Sequence, residues 1–174
     1  MSESIQVRCL EAIGEQEIQA LSDVLIDCVE GGASVSFMLP LSRTKAAEFW
    51  REVAASVLRR ERLLLVTEDQ VGIVGTVQII WAQPENQPHR ADLAKMLVHR
   101  RARRQGIGAA LLRAAERAAF DAGKNLLVLD TASGDAERLY ARRGWQRCGV
   151  IPGYALLPAG GLCDTTVFYR ALGK

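Results

Sequence analysis

The chain has 174 residues, 49% of them hydrophobic, and its 22 Lys and Arg against 20 Asp and Glu leave a net charge of +2. That length supports one hydrophobic core, so a single domain over residues 1–174 is expected, and the near balance of charge excludes a general electrostatic pull toward nucleic acid. No apolar run approaches the ~18–20 residues a membrane span needs, and Met1-Ser2-Glu3-Ser4 has neither the basic nor the apolar region of a signal peptide, so no membrane partner and a cytoplasmic location are expected.

Periodicity predicts the element order β-α-α-β-β-β-α-β-α-β-β. Residues 5–10 read as a short strand, followed by a helix with Ile18, Leu21, Val24, Leu25 and Cys28 on one face and Gly31-Gly32 at its end. Ser42 is the predicted N-cap of a second helix, with Ala46, Phe49, Trp50, Val53 and Val57 on its inner side. Residues 63–67 and 71–81 read as a hairpin across Glu68-Asp69-Gln70, expected in the middle of the sheet. Two prolines, Pro84 and Pro88, mark a loop before the next strand, Asp92-Leu93-Ala94-Lys95-Met96-Leu97-Val98. A helix follows, with Ile107, Ala110, Leu111, Ala114, Ala115, Ala118 and Ala119 at helical spacing and Gly123 as its stop. Residues 126–129 read as a buried strand, Ser133 as the cap of a last helix carrying Asp135 and Glu137 in its first turn, and residues 145–151 and 163–169 as two further strands. The sum is an α/β (α+β) protein with six to seven strands and four helices, without repeat or linker.

Between the fourth strand and the third helix lies His99-Arg100-Arg101-Ala102-Arg103-Arg104-Gln105-Gly106-Ile107-Gly108. A helix start leaves N–H groups unpaired and carries partial positive charge, so an anion placed there meets donors and favourable field together. Gly106 and Gly108 are expected to remove the Cβ atoms that would keep a diphosphate from those donors, and the arginines add forked donors and charge. The three-glycine dinucleotide fingerprint and the Gly-Lys-Ser/Thr ending of a P-loop are both missing from the run. A basic cluster also suits RNA, but no aromatic stacking motif accompanies this one.

Other chemistry finds little support. His89 and His99 are not spaced as metal ligands with any Cys or carboxylate cluster, so no metal is expected. Ser34 and Ser36 lack the His and Asp partners of a triad. Trp50, Trp81 and Trp145 read as core anchors, and Cys9, Cys28, Cys148 and Cys163, without paired spacing, as reduced core residues.

The segment Arg103-Arg104-Gln105-Gly106-Ile107-Gly108 resembles the Arg/Gln-x-x-Gly-x-Gly/Ala loop of the GNAT superfamily of acyl-CoA-dependent N-acetyltransferases, and Ala136-x-x-Leu139-Tyr140-x-x-x-Gly144-Trp145 is similar to its later signature. The resemblance implies the GNAT fold, with a mixed, mostly antiparallel sheet, and acetyl-CoA as co-substrate. It assigns the coenzyme to Met96, Leu97, Val98, Arg103, Arg104, Gln105, Gly106, Ile107, Gly108, Ala109, Ala136 and Tyr140, with the amide-bearing arm paired to the strand at Met96 and Val98. An amine acceptor must lose a proton before or during attack on the thioester, and the resemblance implies that Asp92 and Asp130 share that base role. Asp92 is shorter than the Glu the pattern carries there, and its alternative is a structural role; for Asp130 the alternative is a strand-end cap. A backbone N–H within residues 96–98 is implied as the stabiliser of the developing oxyanion, and Tyr140 as the donor to the departing sulfur.

A narrower likeness, to the tabtoxin-resistance group that acetylates an amino-acid-like β-lactam toxin, rests on residues 31–38, Arg90-Ala91-Asp92-x-x-Lys95, Leu129-Asp130-Thr131 and Pro152-Gly153-Tyr154. It implies an acceptor pocket formed by Gly32, Ala33, Ser34, Phe37, Asp92, Asp130, Pro152, Gly153 and Tyr154, with residues 31–38 and 152–154 acting as lids. The expected partner is a small polar amine, and the expected state a monomer or homodimer. The alternatives are a protein or peptide N-acetyltransferase and a non-catalytic acyl-CoA-binding module.

Overall fold

The computed structural model describes residues 5–173. In chain order the elements are β1 (Val7–Cys9), α1 (Glu15–Glu30), α2 (Arg43–Leu58), β2 (Arg62–Glu68), β3 (Ile73–Trp81), β4 (Arg90–Val98), a 3-10 turn (Arg100–Ala102), α3 (Ile107–Asp121), β5 (Leu126–Thr131), α4 (Gly134–Arg142), β6 (Gln146–Leu156) and β7 (Leu162–Ala171). The seven strands join in one sheet whose order is β1-β2-β3-β4-β5-β7-β6, every neighbouring pair antiparallel except β4 with β5. Order, strand number and helix number agree with the sequence reading, and Met1–Ser4, read above for a leader, lie outside the described residues.

The predicted caps form as expected. Ser42 Oγ accepts the Lys45 N–H at 3.1 Å and Ser133 Oγ accepts the Ala136 N–H at 3.3 Å, each satisfying one donor left over at a helix start. The first helix starts differently: Glu17 Oε2 reaches back to the Gly14 N–H at 2.9 Å. α1 and α2 cover one face of the sheet, burying Leu21, Val24, Leu25, Trp50 and Val53 against Leu64, Val66 and Leu97. α3 and α4 cover the other, against Val77, Ile79, Leu93, Leu127, Leu129 and Phe168.

Several expectations are corrected. The first strand is Val7–Cys9, with Ile5 outside it. The sheet's midpoint is β4, so the hairpin β2–β3 fills the space between it and the edge strand β1. β6 runs on to Leu156, so Pro152-Gly153-Tyr154 is an irregularity within a strand rather than a free lid. Its missing N–H is tolerated there because β6 is an edge strand. Of the cysteines only Cys28 is buried; Cys9 and Cys148 are exposed and Cys163 lies between.

α3 lies close to the sheet because Ala110, Ala115 and Ala119 bury small side chains, and because β3 presents Gly75 beneath its first turn. A Cβ at residue 75 would stand 2.8 Å from Ile107 Cγ2 and 3.0 Å from both Leu111 Cδ1 and Thr67 Cγ2. Gly75→Ala is therefore expected to destabilise the protein by about 1–3 kcal/mol through overpacking, read as a fall in melting temperature of about 3–10 °C. An unchanged melting temperature would mean that α3 has room to spare above the sheet.

Candidate active site

β4 and β5 run side by side only where they begin. Arg90, Ala91 and Asp92 pair with Leu126, Leu127 and Val128; residues 129–131 then pair with β7 alone and the rest of β4 with β3 alone. The parting coincides with a bulge, in which Val77 of β3 faces two residues of β4, Lys95 and Met96, and Lys95 takes a left-handed φ of +49°. An extra residue bends a strand and increases its twist, and here it turns the outgoing half of β4 away from its parallel neighbour. His99 donates its N–H to Val74 at 2.8 Å, so by alternation the main-chain groups of Val98 are aimed to the opposite, open side.

The wedge between the strands is a cavity of about 230 Å³ walled by Asp92 and Ala94, Val128 and Asp130, Thr165, and Tyr154. Leu93, Leu127 and Leu129 point into the core beneath α3, so alternation sends Asp92 and Asp130 to the other face together. The two carboxylates differ in their surroundings. Asp92 Oδ1 receives Arg90 Nη1 at 2.6 Å in an ion pair. Asp130 accepts the Thr165 hydroxyl at 3.0 Å on Oδ2 alone, and among the described residues no protein donor reaches its Oδ1.

Tyr140 is on the far side of the sheet, 4% exposed, its ring centroid 5.7 Å from those of both Trp145 and Phe168. Burial, and then the negative charge of Asp130, push its phenol well above the usual range, so the hydroxyl keeps its proton at neutral pH.

At the start of α3, Gly106 caps the helix with φ +83°, a left-handed conformation open to glycine. The N–H groups of Ile107, Gly108 and Ala109 are then the first-turn donors without an intrahelical acceptor. A Cβ at Gly108 would stand 3.2 Å from Leu139 Cδ2, so this glycine also lets α3 approach α4. The basic run divides as well. Arg100 and Arg101 are engaged by Asp27 and Asp69 at 2.9 and 3.0 Å, and Arg103 Nε donates to the Val98 carbonyl at 3.2 Å. Arg104, at φ +61°, makes no side-chain hydrogen bond among the described residues, and Gln105 Nε2 turns back to the Arg101 carbonyl at 3.4 Å.

The segment after α1 crosses toward the β6–β7 hairpin. Ser34 Oγ lies 3.2 Å from the Leu156 carbonyl, to which it donates, and 3.5 Å from Cys163 Sγ. Ala33 and Phe37 pack on the α1–α2 core, Phe37 edge-on to Phe49 at 5.3 Å. In the β6 irregularity, Gly153 donates its N–H to Asp164 Oδ1 at 2.8 Å, and the neighbouring Tyr154 borders the cavity. Ala136 lies in the first turn of α4, donating to Ser133. Gly32 and Pro152 are near neither carboxylate by any recorded contact, whereas Tyr154 shares the cavity with both.

Residues 34–145, more than half of the chain, match the family model described as Acetyltransferase (GNAT) family. The chain belongs to the GNAT acetyltransferase family. It is accordingly an acyltransferase. Among solved structures it is similar to a ribosomal-protein-alanine N-acetyltransferase from Brucella melitensis, with 21% identity, a TM-score of 0.77, and coverage of 97% of this chain and 100% of that one. An N-acetyltransferase from Staphylococcus aureus Mu50 aligns at 18% identity and TM-score 0.80 over 98% and 100% of the two chains. A phosphinothricin acetyltransferase from Sinorhizobium meliloti, solved in complex with acetyl-CoA, aligns at 17% identity and TM-score 0.79 over 98% and 90%. At such identities the likeness is one of fold.

Within this GNAT cleft, sequence reasoning passed over Thr165, which holds Asp130, and Arg90, which holds Asp92. A Thr in an edge-side strand carries no signal of its own, but Arg90 stands two residues from Asp92, the spacing that puts two strand residues on one face. Among the described residues there is no group of three or more His, Cys, Asp or Glu suited to a metal ion, and no helix long and apolar enough to cross a membrane. A larger hollow of about 360 Å³ lies on the outer side of α1, but its Asp27, His99 and Arg101 are already engaged in ion pairs and hydrogen bonds.

Asp27 anchors the 3-10 turn that leads into the glycine loop, accepting the Arg100 N–H at 2.7 Å and its Nε at 2.9 Å, with His99 Nδ1 at 3.5 Å. Burial alone would raise this carboxyl, but the Arg100 hydrogen bonds and the His99 and Arg100 charges outweigh it and hold it below its ordinary value. A depressed carboxyl contributes stability that is complete above its unfolded value of about 3.9 and lost as pH falls through the folded one. Asp27→Asn is expected to cost about 2 kcal/mol at pH 7, as for hydrogen bonds to a charged group. Urea melts of wild type and variant should converge below about pH 4; a gap of constant size down to pH 3 contradicts the anchor.

Proposed function

We propose that the enzyme transfers the acetyl group of acetyl-CoA to the primary amine of a small, polar, amino-acid-like acceptor, in the manner of the tabtoxin-resistance group. The observation that carries this reading is the pairing of Asp92 and Asp130 at the point where β4 and β5 part, beside a strand edge left without a partner. The coenzyme's chemistry suits what is there: a left-handed Gly106 and the first-turn donors of α3 fit a diphosphate, with Arg104 free to approach it. The open side of β4, at Met96 and the Val98 N–H, fits an extended chain of amides, the Val98 carbonyl being taken by Arg103.

When bound, acetyl-CoA supplies an acetyl group activated as a thioester. Asp130, with Oδ1 open to the cavity and Oδ2 fixed by Thr165, takes the proton of the acceptor ammonium directly or through one water. Asp92, held by Arg90, orients the amine and shares the charge of its protonated form. A main-chain N–H within residues 96–98, on the open side of β4, meets negative charge as it develops on the acyl oxygen, in place and without reorganisation. Tyr140 holds a proton at Oη for the departing sulfur.

A second reading, acetylation of a peptide or protein amine, is favoured by one observation. Residues 152–154 belong to a strand rather than forming a free lid, and Tyr154 stands exposed at the border of the cavity. The relative from Brucella melitensis is described as acting on a ribosomal protein alanine.

CoA thiol release with a panel of amino acids, simple amines and amino-terminal peptides tests the two readings together. Turnover with free amino acids or their analogues and none with peptides is the expected result; the reverse assigns the peptide reading, and no thiol release with any amine refutes both. Asp130→Asn is expected to lower kcat by about 10²–10⁴-fold, the usual contribution of a general base, with acetyl-CoA affinity unchanged. Equal loss of both would make Asp130 structural. Tyr140→Phe should slow single-turnover acetyl transfer at least ~10-fold while the fold stays intact, and a wild-type rate would remove Tyr140 from the chemistry.

A further inference from the structure

On the same face as Asp92 and Asp130, β4 carries a lysine that the family signatures leave without a role. Lys95 sits in the bulge, and its Nζ lies 3.1 Å from Ser36 Oγ and 6.0 Å from the centre of the Phe49 ring. Both partners in that hydrogen bond, Ser36 at φ +77° and Lys95 at φ +49°, hold a left-handed backbone that L-residues adopt at a cost. Such conformations persist where the surrounding structure enforces them, and they gather at functional sites.

The charges around the spot are only partly matched: Asp130 acts on Lys95, and Glu61 and Glu52 act on Arg62. Among the described residues Lys95 makes no ion pair. Its ammonium is lowered from the ordinary lysine value first by burial; the charge of Asp130 opposes that shift and the charge of Arg62 adds to it. Arg62 in turn donates to Gln78 Oε1 at 2.7 Å, which leaves Gln78 Nε2 a buried donor without an acceptor, on a residue only 1% exposed. Gln78 is the cross-strand partner of Ala94, which walls the cavity. Directly paired residues share a face, so the Arg62 guanidinium and the unsatisfied Gln78 donor stand with Lys95 on the sheet face that carries Asp92 and Asp130, next to the cavity wall at Ala94. A half-buried ammonium held by a single hydroxyl, beside a buried amide donor without an acceptor, is stabilised by a ligand that brings an anionic oxygen.

We infer that Lys95, with Ser36, forms an anion subsite that binds the carboxylate of the acceptor, so that the substrate is a zwitterionic α-amino acid or analogue spanning from Lys95 to the Asp92–Asp130 pair. This deepens the proposed function and rests on it for the placing of the amine. The subsite requires an acceptor with both charges, and it discriminates against amines of the same shape that lack the acid.

The test compares the proteinogenic L-α-amino acids with their α-carboxamides, by CoA thiol release and by calorimetric titration in the presence of CoA. The ratio of kcat/KM for acid over amide is expected to be roughly 30-fold or more in the wild type, the scale on which loss of a desolvated charge partner is felt. That ratio should collapse toward one in Lys95→Met and survive in Lys95→Arg, with acetyl-CoA binding reporting that both variants are folded. Equal use of acids and amides by the wild type, or a preference that persists in Lys95→Met, overturns the subsite while leaving the proposed function standing. Lys95-dependent binding of acids without thiol release supports the subsite and refutes the proposed acetyl transfer. Absence of binding by every acid overturns the subsite.

Discussion

Two strands that run parallel for three residues and then separate set the geometry on which the rest of this enzyme depends. Parallel pairing at Arg90–Leu126, Ala91–Leu127 and Asp92–Val128 fixes β4 and β5 in register at one end. A bulge at Lys95 and Met96 follows three residues on, and from Leu93 onward β4 pairs with β3 alone. A parting of this kind leaves main-chain donors and acceptors unpaired within a sheet, which is unfavourable unless water or a ligand completes them. The same parting opens a wedge whose walls are side chains from β4, β5 and β7, so reactive groups and an extended binding edge arise from one irregularity.

The glycine loop is positioned by contacts remote from any ligand. Gly75 lets the first turn of α3 settle onto β3, Gly108 lets it settle against α4, and Asp27 ties the preceding 3-10 turn to α1. Three constraints from three elements thus fix the N-terminus of α3, which is what a helix-end anion site needs if its donors are to converge. The arginine run serves this positioning as much as it serves charge, since Arg100 and Arg101 already have carboxylate partners.

Much of this was legible in the sequence. Element order and both serine caps followed from periodicity and local chemistry, because each is decided by neighbours within a few residues. Alternation along each strand explains why Asp92 and Asp130 share a cavity, but their meeting depends on which strands are adjacent. What escaped was set by distant partners. Thr165 touches Asp130 from 35 positions away, Asp69 engages Arg101 from 32, and Ser36 meets Lys95 from 59. The extension of β6 through Pro152 escaped for a different reason: proline and glycine read locally as a turn, whereas an edge strand accommodates both at a bulge.

Amide hydrogen exchange with and without acetyl-CoA bears most directly on the claim that the open side of β4 and the start of α3 form the coenzyme site. Saturating acetyl-CoA is expected to slow exchange at least ~10-fold at Met96, Val98, Ile107, Gly108 and Ala109, and to leave the β6–β7 pairing nearly unaffected. Protection confined to the hollow beside α1, with Met96 and Val98 unchanged, would contradict it.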